Sequence, residues 1–348
     1  MTDAIVEIVN VTRAHAWMPW AVQYFFLIGL SLGGFLLTLP AFLGKREDWL
    51  PLARVALVVA VSCGVAAPVA LLADLHQPNR FWHFYAYPQT GSWMSWGAWF
   101  IPAYVGLLLL TGWAALRRAN ALPLLAAATL VAAVAVAAYT GAEVAIVKAR
   151  PLWNTPLLPV QFLATALVGA AGVVLVLNRL VNGGDRAVEA RTNHVLAVFL
   201  GVTISLGAAW FLLGASGVSD THARALASVD GFREWQMIAL WAAVATALPF
   251  VIALRWPAGS GWVTGLIAIH AAWMFRWTVF MGGQSVPKTG AGLYDYVLPL
   301  GPDGLLGIAG TFALWVVLIL AVTSLLPWRD AGLPAVASLP GTLKAKEN

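Results

Sequence analysis

The stretch ALPLLAAATLVAAVAVAAYTGAEVAIV, residues 121–147, contains a single charged side chain, Glu143. A helix needs about 20 mainly apolar residues to cross the hydrocarbon core of a bilayer. The stretch is too long for a membrane β-strand and lacks the alternation of apolar and polar residues that such a strand requires. It therefore predicts a membrane-spanning helix.

The rest of the chain repeats this pattern. Of the 348 residues, 61% are hydrophobic and 10% are charged, against about 45–50% and about 25% in soluble domains. We predict an all-α, polytopic transmembrane bundle with nine spans. The predicted spans are Pro19–Leu43, Leu52–Leu72, Trp93–Leu116, Ala121–Val147, Pro156–Val181, Thr192–Gly214, Arg233–Leu254, Ser260–Met281 and Asp303–Leu326.

The distribution of basic residues predicts the orientation. Apart from Arg276, which lies inside a span, twelve Lys and Arg residues are expected on the side of the C-terminus and seven on the side of the N-terminus. Basic loops favour the cytoplasm. We therefore expect a membrane domain over residues 1–330 with a periplasmic N-terminus, and a short cytoplasmic tail over residues 331–348. The net charge of +5 is assigned to membrane orientation rather than to nucleic-acid binding.

Three ionisable residues inside the predicted spans, Glu143, His270 and Arg276, call for an explanation, because such residues are costly in a membrane and often functional. Glu143 follows Tyr139 by four residues, so the two share one helix face near the outer end of the span. A phenol and a carboxylate one turn apart can hold a ligand hydroxyl and accept its proton. The alternative is structural: Glu143 pairs with Arg276, in the eighth span, or with Lys148.

The first span begins with a second group of candidates. His15 and Gln23 lie at its outer edge, and Gln23 can reach a ligand carbonyl. The aromatic residues nearby, including Tyr24, are of the type that forms interfacial belts. Gly29 and Gly33 have the spacing of closely packed membrane helices.

Histidine and cysteine counts limit the cofactors. One cysteine, Cys63, cannot hold an iron–sulfur cluster, and the six histidines are not placed for a pair of facing haem ligands. The chain also has no P-loop and no dinucleotide-binding fingerprint. We expect no haem, no metal site and no catalytic residue that performs redox chemistry unaided.

Four ordered motifs resemble the NrfD-like family, the quinone-interacting membrane subunits of polysulfide reductase-type molybdoenzymes. They are DLHQPNRF (74–81), SWMSWG (92–97), YTG (139–141) and PLWNTPLLP (151–159). Two further stretches, WMPWAVQYFF (17–26) and RWTVFMGGQSVPKTGAGLY (276–294), resemble the tetrathionate reductase branch of that family.

The resemblance implies a core of two four-helix bundles plus one extra C-terminal helix, in the bacterial inner membrane. It implies that menaquinol or ubiquinol is oxidised near the outer face. Electrons would pass to a ferredoxin-like subunit with four [4Fe–4S] clusters, and then to a molybdopterin catalytic subunit that reduces tetrathionate or a similar sulfur compound. The clusters and the molybdopterin would belong to these partner subunits only.

Carried onto this sequence, the resemblance gives Tyr139 as the main quinone-binding residue and His15 as a second one. Together with the residues chosen from burial, the expected quinone-binding set is Tyr139, His15, Gln23, Glu143 and Arg276. The outer-loop signature residues are Asp74, Arg80, Ser95 and Trp96. Asp74 and Arg80 are expected to shape the outer loop or to pair with each other, with a functional role as the alternative. Trp153, Asn154 and Lys288 are candidates for docking the cluster subunit or, alternatively, loop anchors.

Two other functions fit the sequence less well. A secondary transporter of a small anion would share the apolar spans with their interrupting Gly and Pro residues. A purely structural anchor would leave Tyr139 and Glu143 as packing residues. Transport predicts solute flux without partners, whereas both anchor hypotheses predict co-purification with larger redox subunits.

Overall fold

The computed structural model describes residues 15–288 and 293–334. Within these residues, nine helices are long and apolar enough to span a membrane, and no strand occurs. We label them in chain order: α1 (Pro19–Phe42), α2 (Leu50–Asp74), α3 (Trp93–Leu116), α4 (Leu122–Ala145), α5 (Leu157–Val181), α6 (Arg186–Ala215), α7 (Arg233–Arg255), α8 (Gly261–Trp277) and α9 (Leu305–Leu325). The predicted all-α bundle with nine spans is confirmed.

The largest boundary difference concerns α6, which begins at Arg186 rather than at the predicted Thr192. The side chain of Asp185 caps this helix by accepting hydrogen bonds from the backbone N–H groups of Ala187 (2.8 Å) and Val188 (3.2 Å). An N-cap of this kind satisfies donors that the helix itself leaves unpaired. The first turns of α6 are polar, so hydropathy alone places the start of the helix too late.

Helix α8 changes its helical geometry at its C-terminal end. It continues as a π-helical segment, Thr278–Gly282, and as a last short turn, Gly283–Ser285. Shorter helices also form in two loops at this end of the bundle, at His83–Ala86 and Asp220–Ala227. These loop helices are much shorter than the roughly 20 residues of a membrane span, so the hydropathy pattern of the sequence does not predict them.

Helix α1 lies at the centre of the bundle, with twenty of its 24 residues buried. It packs closely on α5, because a Cβ atom at Gly33 would lie 2.7 Å from both the carbonyl oxygen of Ala166 and the Cβ atom of Ala170. Gly29 similarly faces Ala166, with 3.3 Å between the two Cβ positions. The close packing predicted from the Gly29–Gly33 spacing is confirmed.

The other helices surround α1 in two groups. Helices α2, α3 and α4 pack in sequence beside it, and α5 packs on both α6 and α8, with α7 on α6 and α8. Helix α9 lies against α2 and α1. The division of the core into two separate four-helix bundles stays a prediction, because α1 also packs directly on α5.

Only a few residues near the chain ends belong to the described structure. Residues 1–14 and 335–348 lie outside the described part, so the periplasmic N-terminus and most of the predicted tail stay expectations. The first tail residues pack against the bundle: Arg54 Nε donates to the carbonyl of Ala331 (2.7 Å) and the Gly332 N–H donates to the carbonyl of Ala115 (3.0 Å). Ala331 is completely buried.

Candidate functional site

A cluster of three buried polar side chains lies between α1 and α4, at the end of the bundle where α1 begins, which is the predicted outer end. The phenol of Tyr139 lies beside the hydroxyl of Tyr24 and the carboxyl of Glu143. Tyr139 and Glu143 come from successive turns of α4, as their spacing predicted, and Tyr24 comes from α1. We call these three residues the tyrosine–glutamate cluster.

Gly97 of α3 forms the wall behind the Tyr139 ring. A Cβ atom at this position would lie 2.2 Å from Tyr139 Cζ and 2.5 Å from Cε2. No side chain other than hydrogen fits at such a distance. The absence of a side chain at residue 97 therefore sets where the phenol of Tyr139 can lie.

Two atoms of the cluster have no hydrogen-bond partner although they are buried: the Tyr24 hydroxyl and Glu143 Oε2. Glu143 forms no ion pair with Arg276 or Lys148, all three of which lie in the described part of the chain. The alternative pairing of Glu143 with Arg276 or Lys148 is therefore not formed in the described structure, while its role as a packing residue of a plain anchor stays an alternative. Unpaired buried polar atoms are costly and call for an explanation such as a bound ligand.

Arg276 is separated from the cluster and lies between α8, α5 and α1. Its guanidinium donates to the carbonyl of Phe162 (2.8 Å) and to the hydroxyl of Thr165, and it lies over the Phe162 ring, with Cζ 5.1 Å from the ring centroid. It is completely buried, and its Nε has no partner. A cavity of about 10 Å³ beside it, also lined by Gly29 and Thr140, has room for about one water molecule.

The two α1 candidates lie near the start of that helix. Gln23 is buried and its Nε2 has no partner. His15 stacks edge-on against Tyr296, with 4.7 Å between ring centroids, and its buried Nε2 also lacks a partner. Burial and then the positive charge of Arg150 lower the pKa of His15 below its ordinary value of 6.5. Its imidazole is therefore neutral at pH 7 and able to accept a proton.

Asp74 and Arg80 do not pair with each other. Asp74 accepts a hydrogen bond from the Met18 N–H (3.2 Å) and interacts with the Ala21 N–H, so its carboxylate caps the start of α1. Arg80 is exposed and makes no ion pair among the described residues. Asp74 thus fixes the helix that carries Tyr24.

Ser95 and Trp96 hold the loop that precedes α3. The Ser95 hydroxyl accepts from the Gln89 N–H (2.9 Å), and Trp96 Nε1 donates to the carbonyl of Thr90 (3.0 Å). The Trp96 ring itself is exposed on the face of α3 that points away from the bundle. Both residues precede Gly97, so their contacts also position the wall behind Tyr139.

The three docking candidates have different environments. Trp153 is buried, and its Nε1 donates to the carbonyl of Val279 (2.7 Å) in the π-helical segment. This geometry corresponds to the loop-anchor alternative. Asn154 is half-buried, and Lys288 is exposed at the edge of the undescribed residues 289–292. These two side chains remain available at the surface.

Sequence reasoning misses two members of the site. The position of Tyr24 suggests an interfacial belt, but this residue is completely buried beside Tyr139. Gly97 stands out in the sequence only as part of a motif. The available signal is that both residues fall inside the motifs that carry the family resemblance, at the same end of the bundle as Tyr139.

Comparisons with known proteins agree with that resemblance. A family model described as "Polysulphide reductase, NrfD" matches residues 9–288. The chain is 34% identical over 333 residues to the C subunit of tetrathionate reductase from Salmonella typhimurium, an alignment that covers 92% of this chain and 96% of that protein. It is 26% identical over 246 residues to the C subunit of selenate reductase from Mesobacillus selenatarsenatis, covering 58% of each.

A more distant relative is an Hdr-like menaquinol oxidoreductase integral membrane subunit of Archaeoglobus fulgidus. It is 24% identical over 292 residues, covering 78% of this chain and 72% of that protein. The nine apolar helices of the described residues, the family model and the Salmonella relative together support the predicted multi-pass protein of the bacterial inner membrane. Because the family model covers most of the chain and a relative aligns along nearly its whole length, the chain belongs to the polysulphide reductase NrfD family.

Proposed function

We propose that this chain is the quinol-oxidising membrane subunit of a reductase complex. One observation carries the proposal: the tyrosine–glutamate cluster is buried in an apolar bundle and leaves the Glu143 Oε2 and Tyr24 hydroxyl atoms without partners. A quinol hydroxyl fits this set of groups, because a phenol can hold it by a hydrogen bond and a carboxylate can accept its proton.

Quinol supplies two electrons and two protons when it is oxidised. The chain contributes positioning and proton acceptance. Tyr139, held in place by Gly97, orients the hydroxyl, and Glu143 Oε2 accepts the proton. His15, neutral at pH 7 and close to the outer surface, is a second acceptor for protons on their way to the periplasm.

Access to the cluster fits a substrate that arrives from the bilayer. Trp96 and Trp99 are exposed on α3, on either side of Gly97 in sequence. The Trp99 ring packs edge-on against Tyr85, with 5.1 Å between ring centroids. Aromatic residues of this kind sit at the interface between lipid and water. The α3 surface therefore offers a lateral approach to Tyr139 for a lipid-soluble ring.

The proposed partners follow from the family relatives. Those relatives are named as subunits of tetrathionate and selenate reductases and of a menaquinol oxidoreductase. We infer a ferredoxin-like iron–sulfur subunit and a molybdopterin catalytic subunit on the outer face, with tetrathionate or a similar sulfur compound as the terminal acceptor. Asn154 and Lys288 are the exposed or half-exposed candidates for contact with the cluster subunit.

The test is purification of the tagged chain from its native membrane in mild detergent, followed by mass spectrometry and metal analysis. The proposal predicts two larger subunits, molybdenum, and about sixteen irons per complex, as four [4Fe–4S] clusters require. It also predicts reduction of the terminal acceptor when quinol is added.

Two results would contradict the proposal. A metal-free chain that purifies alone and carries an anion flux in liposomes would establish a transporter. A metal-containing complex that does not oxidise quinol, and accepts electrons only from a soluble donor, would show that the chain is a structural anchor.

A further inference from the structure

A large cavity opens at the basic end of the bundle, opposite the tyrosine–glutamate cluster. Its volume is about 670 Å³, and it lies where α5 ends and α6 and α8 begin. Its lining includes Arg179, Arg186, Glu189, Leu180 and Trp262. Of the Lys and Arg residues that the structure describes, Arg276 apart, ten lie at this end of the bundle and six at the other.

The two arginines in this cavity have no partner among the residues that the structure describes. Arg179 and Arg186 are exposed, and neither makes a hydrogen bond or an ion pair within the described structure. Arg191, on the same face, differs because it pairs with Asp48, with 3.1 Å between Nη2 and Oδ2. The guanidinium groups in the cavity are therefore free to bind an anion.

Two carboxylates lie nearby, Glu189 in the cavity lining and Asp185 beside Arg186; each keeps its charge, but neither forms an ion pair with the two arginines in the described structure. Glu189 Oε1 accepts from the Gly261 N–H at the start of α8 (2.5 Å), and Asp185 accepts from the first N–H groups of α6. A third cation lies beside the cavity: Arg329 Nη2 donates to the carbonyl of Val181 at the end of α5 (2.5 Å).

The mouth of the cavity is apolar on its membrane side. Leu180 is 63% exposed and Trp262 is 45% exposed. Each side chain is close in sequence to an end of its helix, where headgroups and acyl chains meet. A soluble anion needs no apolar surface beside its phosphate, whereas a phospholipid brings acyl chains to this position.

We propose that this cavity binds the headgroup of an anionic phospholipid. Arg179 and Arg186 contact the phosphate, and Leu180 and Trp262 pack against the first acyl carbons. Basic pockets between transmembrane helices are suited to such headgroups, and the cavity volume is in the range of small-molecule sites. The proposal is independent of quinol oxidation, because the cavity lies at the opposite end of the bundle from Tyr139.

The test uses the complete membrane protein, purified, delipidated and exposed to equal amounts of phosphatidylglycerol and phosphatidylcholine with matched acyl chains. Bound lipid is counted by native mass spectrometry. The unmodified protein should retain phosphatidylglycerol selectively. Each of Arg179→Gln and Arg186→Gln should weaken retention about fivefold, and the double variant about 30-fold, as about 1 kcal/mol per basic residue implies.

Two controls decide whether the cavity is responsible. Arg117→Gln removes an exposed arginine from the same face but outside the cavity, and it should leave retention unchanged. The double variant Arg179→Lys with Arg186→Lys keeps both charges and should retain the lipid. Equal losses from Arg117→Gln, or equal retention of phosphatidylcholine, would overturn the proposal. Displacement of the lipid by millimolar inorganic phosphate would overturn it too, and would assign the cavity to a soluble anion instead.

Discussion

The Tyr139 ring lies directly against the backbone of Gly97, so closely that a Cβ atom at residue 97 would come within 2.2 Å of Tyr139 Cζ. The two residues belong to neighbouring helices, α4 and α3, and their contact fixes where the phenol lies in the bundle. The proposed function depends on this position, because a hydrogen bond to a ligand weakens steeply when its geometry is lost.

The variant Gly97→Ala should displace the Tyr139 ring. Because the Tyr139 ring is rigid and buried, the added methyl group should also lower the free energy of unfolding by about 1–3 kcal/mol. Quinol-dependent turnover of the assembled complex should fall about tenfold, as the loss of one hydrogen bond implies. The measurement is quinol oxidation by the purified complex alongside its thermal melting curve. The matched control is Gly106→Ala on the same helix, where the added Cβ has no heavy atom within 4 Å. This variant should change neither turnover nor the melting temperature.

Glu143→Gln should lower kcat for quinol oxidation about 100-fold, because a general base contributes at least that much. The set of proteins that co-purify should not change, since Glu143 makes no ion pair that holds helices together. Stopped-flow oxidation under saturating quinol measures the effect. The control Glu234→Gln removes an exposed carboxylate from α7. A Glu143→Gln complex with normal kcat would exclude this carboxylate as the proton acceptor.

Gln284 binds both backbone polar groups of Trp17, which lies just before α1. Its Oε1 accepts from the Trp17 N–H (3.0 Å), and its Nε2 donates to the Trp17 carbonyl (2.8 Å). Gln284→Leu should lower the free energy of unfolding by about 2 kcal/mol, as two lost hydrogen bonds imply. Chemical denaturation in detergent measures this loss. The exposed Gln77→Leu should change it by less than about 0.5 kcal/mol.

The stability of the two loops that His222 joins should depend on pH. It bonds the Thr155 hydroxyl through Nε2 (2.8 Å) and the Ser219 hydroxyl through Nδ1 (2.7 Å). Burial lowers the pKa of His222 below its ordinary value of 6.5. The unfolded chain therefore binds a proton more readily than the folded one as the pH falls below about 6.5, and local stability decreases there.

Hydrogen exchange in the short helix Asp220–Ala227, corrected for the intrinsic effect of pH, should show this loss between about pH 7.5 and about pH 5.5. His222→Gln should remove most of the pH dependence, and His76→Gln, at an exposed histidine, should leave it intact. Equal pH dependence in all three proteins would place the titrating group elsewhere.

The sequence was sufficient for the membrane fold because each span is a long apolar run whose length is set by the bilayer. It also placed Tyr139 and Glu143 together, since residues four apart share a helix face. It could not reveal that Tyr24 belongs to the cluster or that Gly97 lies against the Tyr139 ring. Those contacts join α1, α3 and α4, which neither hydropathy nor spacing relates to one another.

The environment of Trp153 could not be predicted from the sequence either. An aromatic residue in a polar loop is compatible with a docking surface, and only the fold shows that its indole is buried on Val279. Similarly, Glu143 and Arg276 are two opposite charges in apolar spans, which suggests a pair. The structure separates them, with Arg276 bonded to Phe162 and Thr165 of α5.

The most direct test of the central claim is quinol titration of the Tyr139→Phe complex. Tyr104→Phe is the matched control, because Tyr104 is also completely buried and its hydroxyl bonds Ser31 (2.9 Å), away from the cluster. We predict that Tyr139→Phe lowers kcat/KM for quinol about tenfold, as the loss of one hydrogen bond implies. Tyr104→Phe should leave it unchanged, with both complexes fully assembled. Wild-type kcat/KM in the Tyr139→Phe complex would contradict the assignment of this cluster as the quinol site.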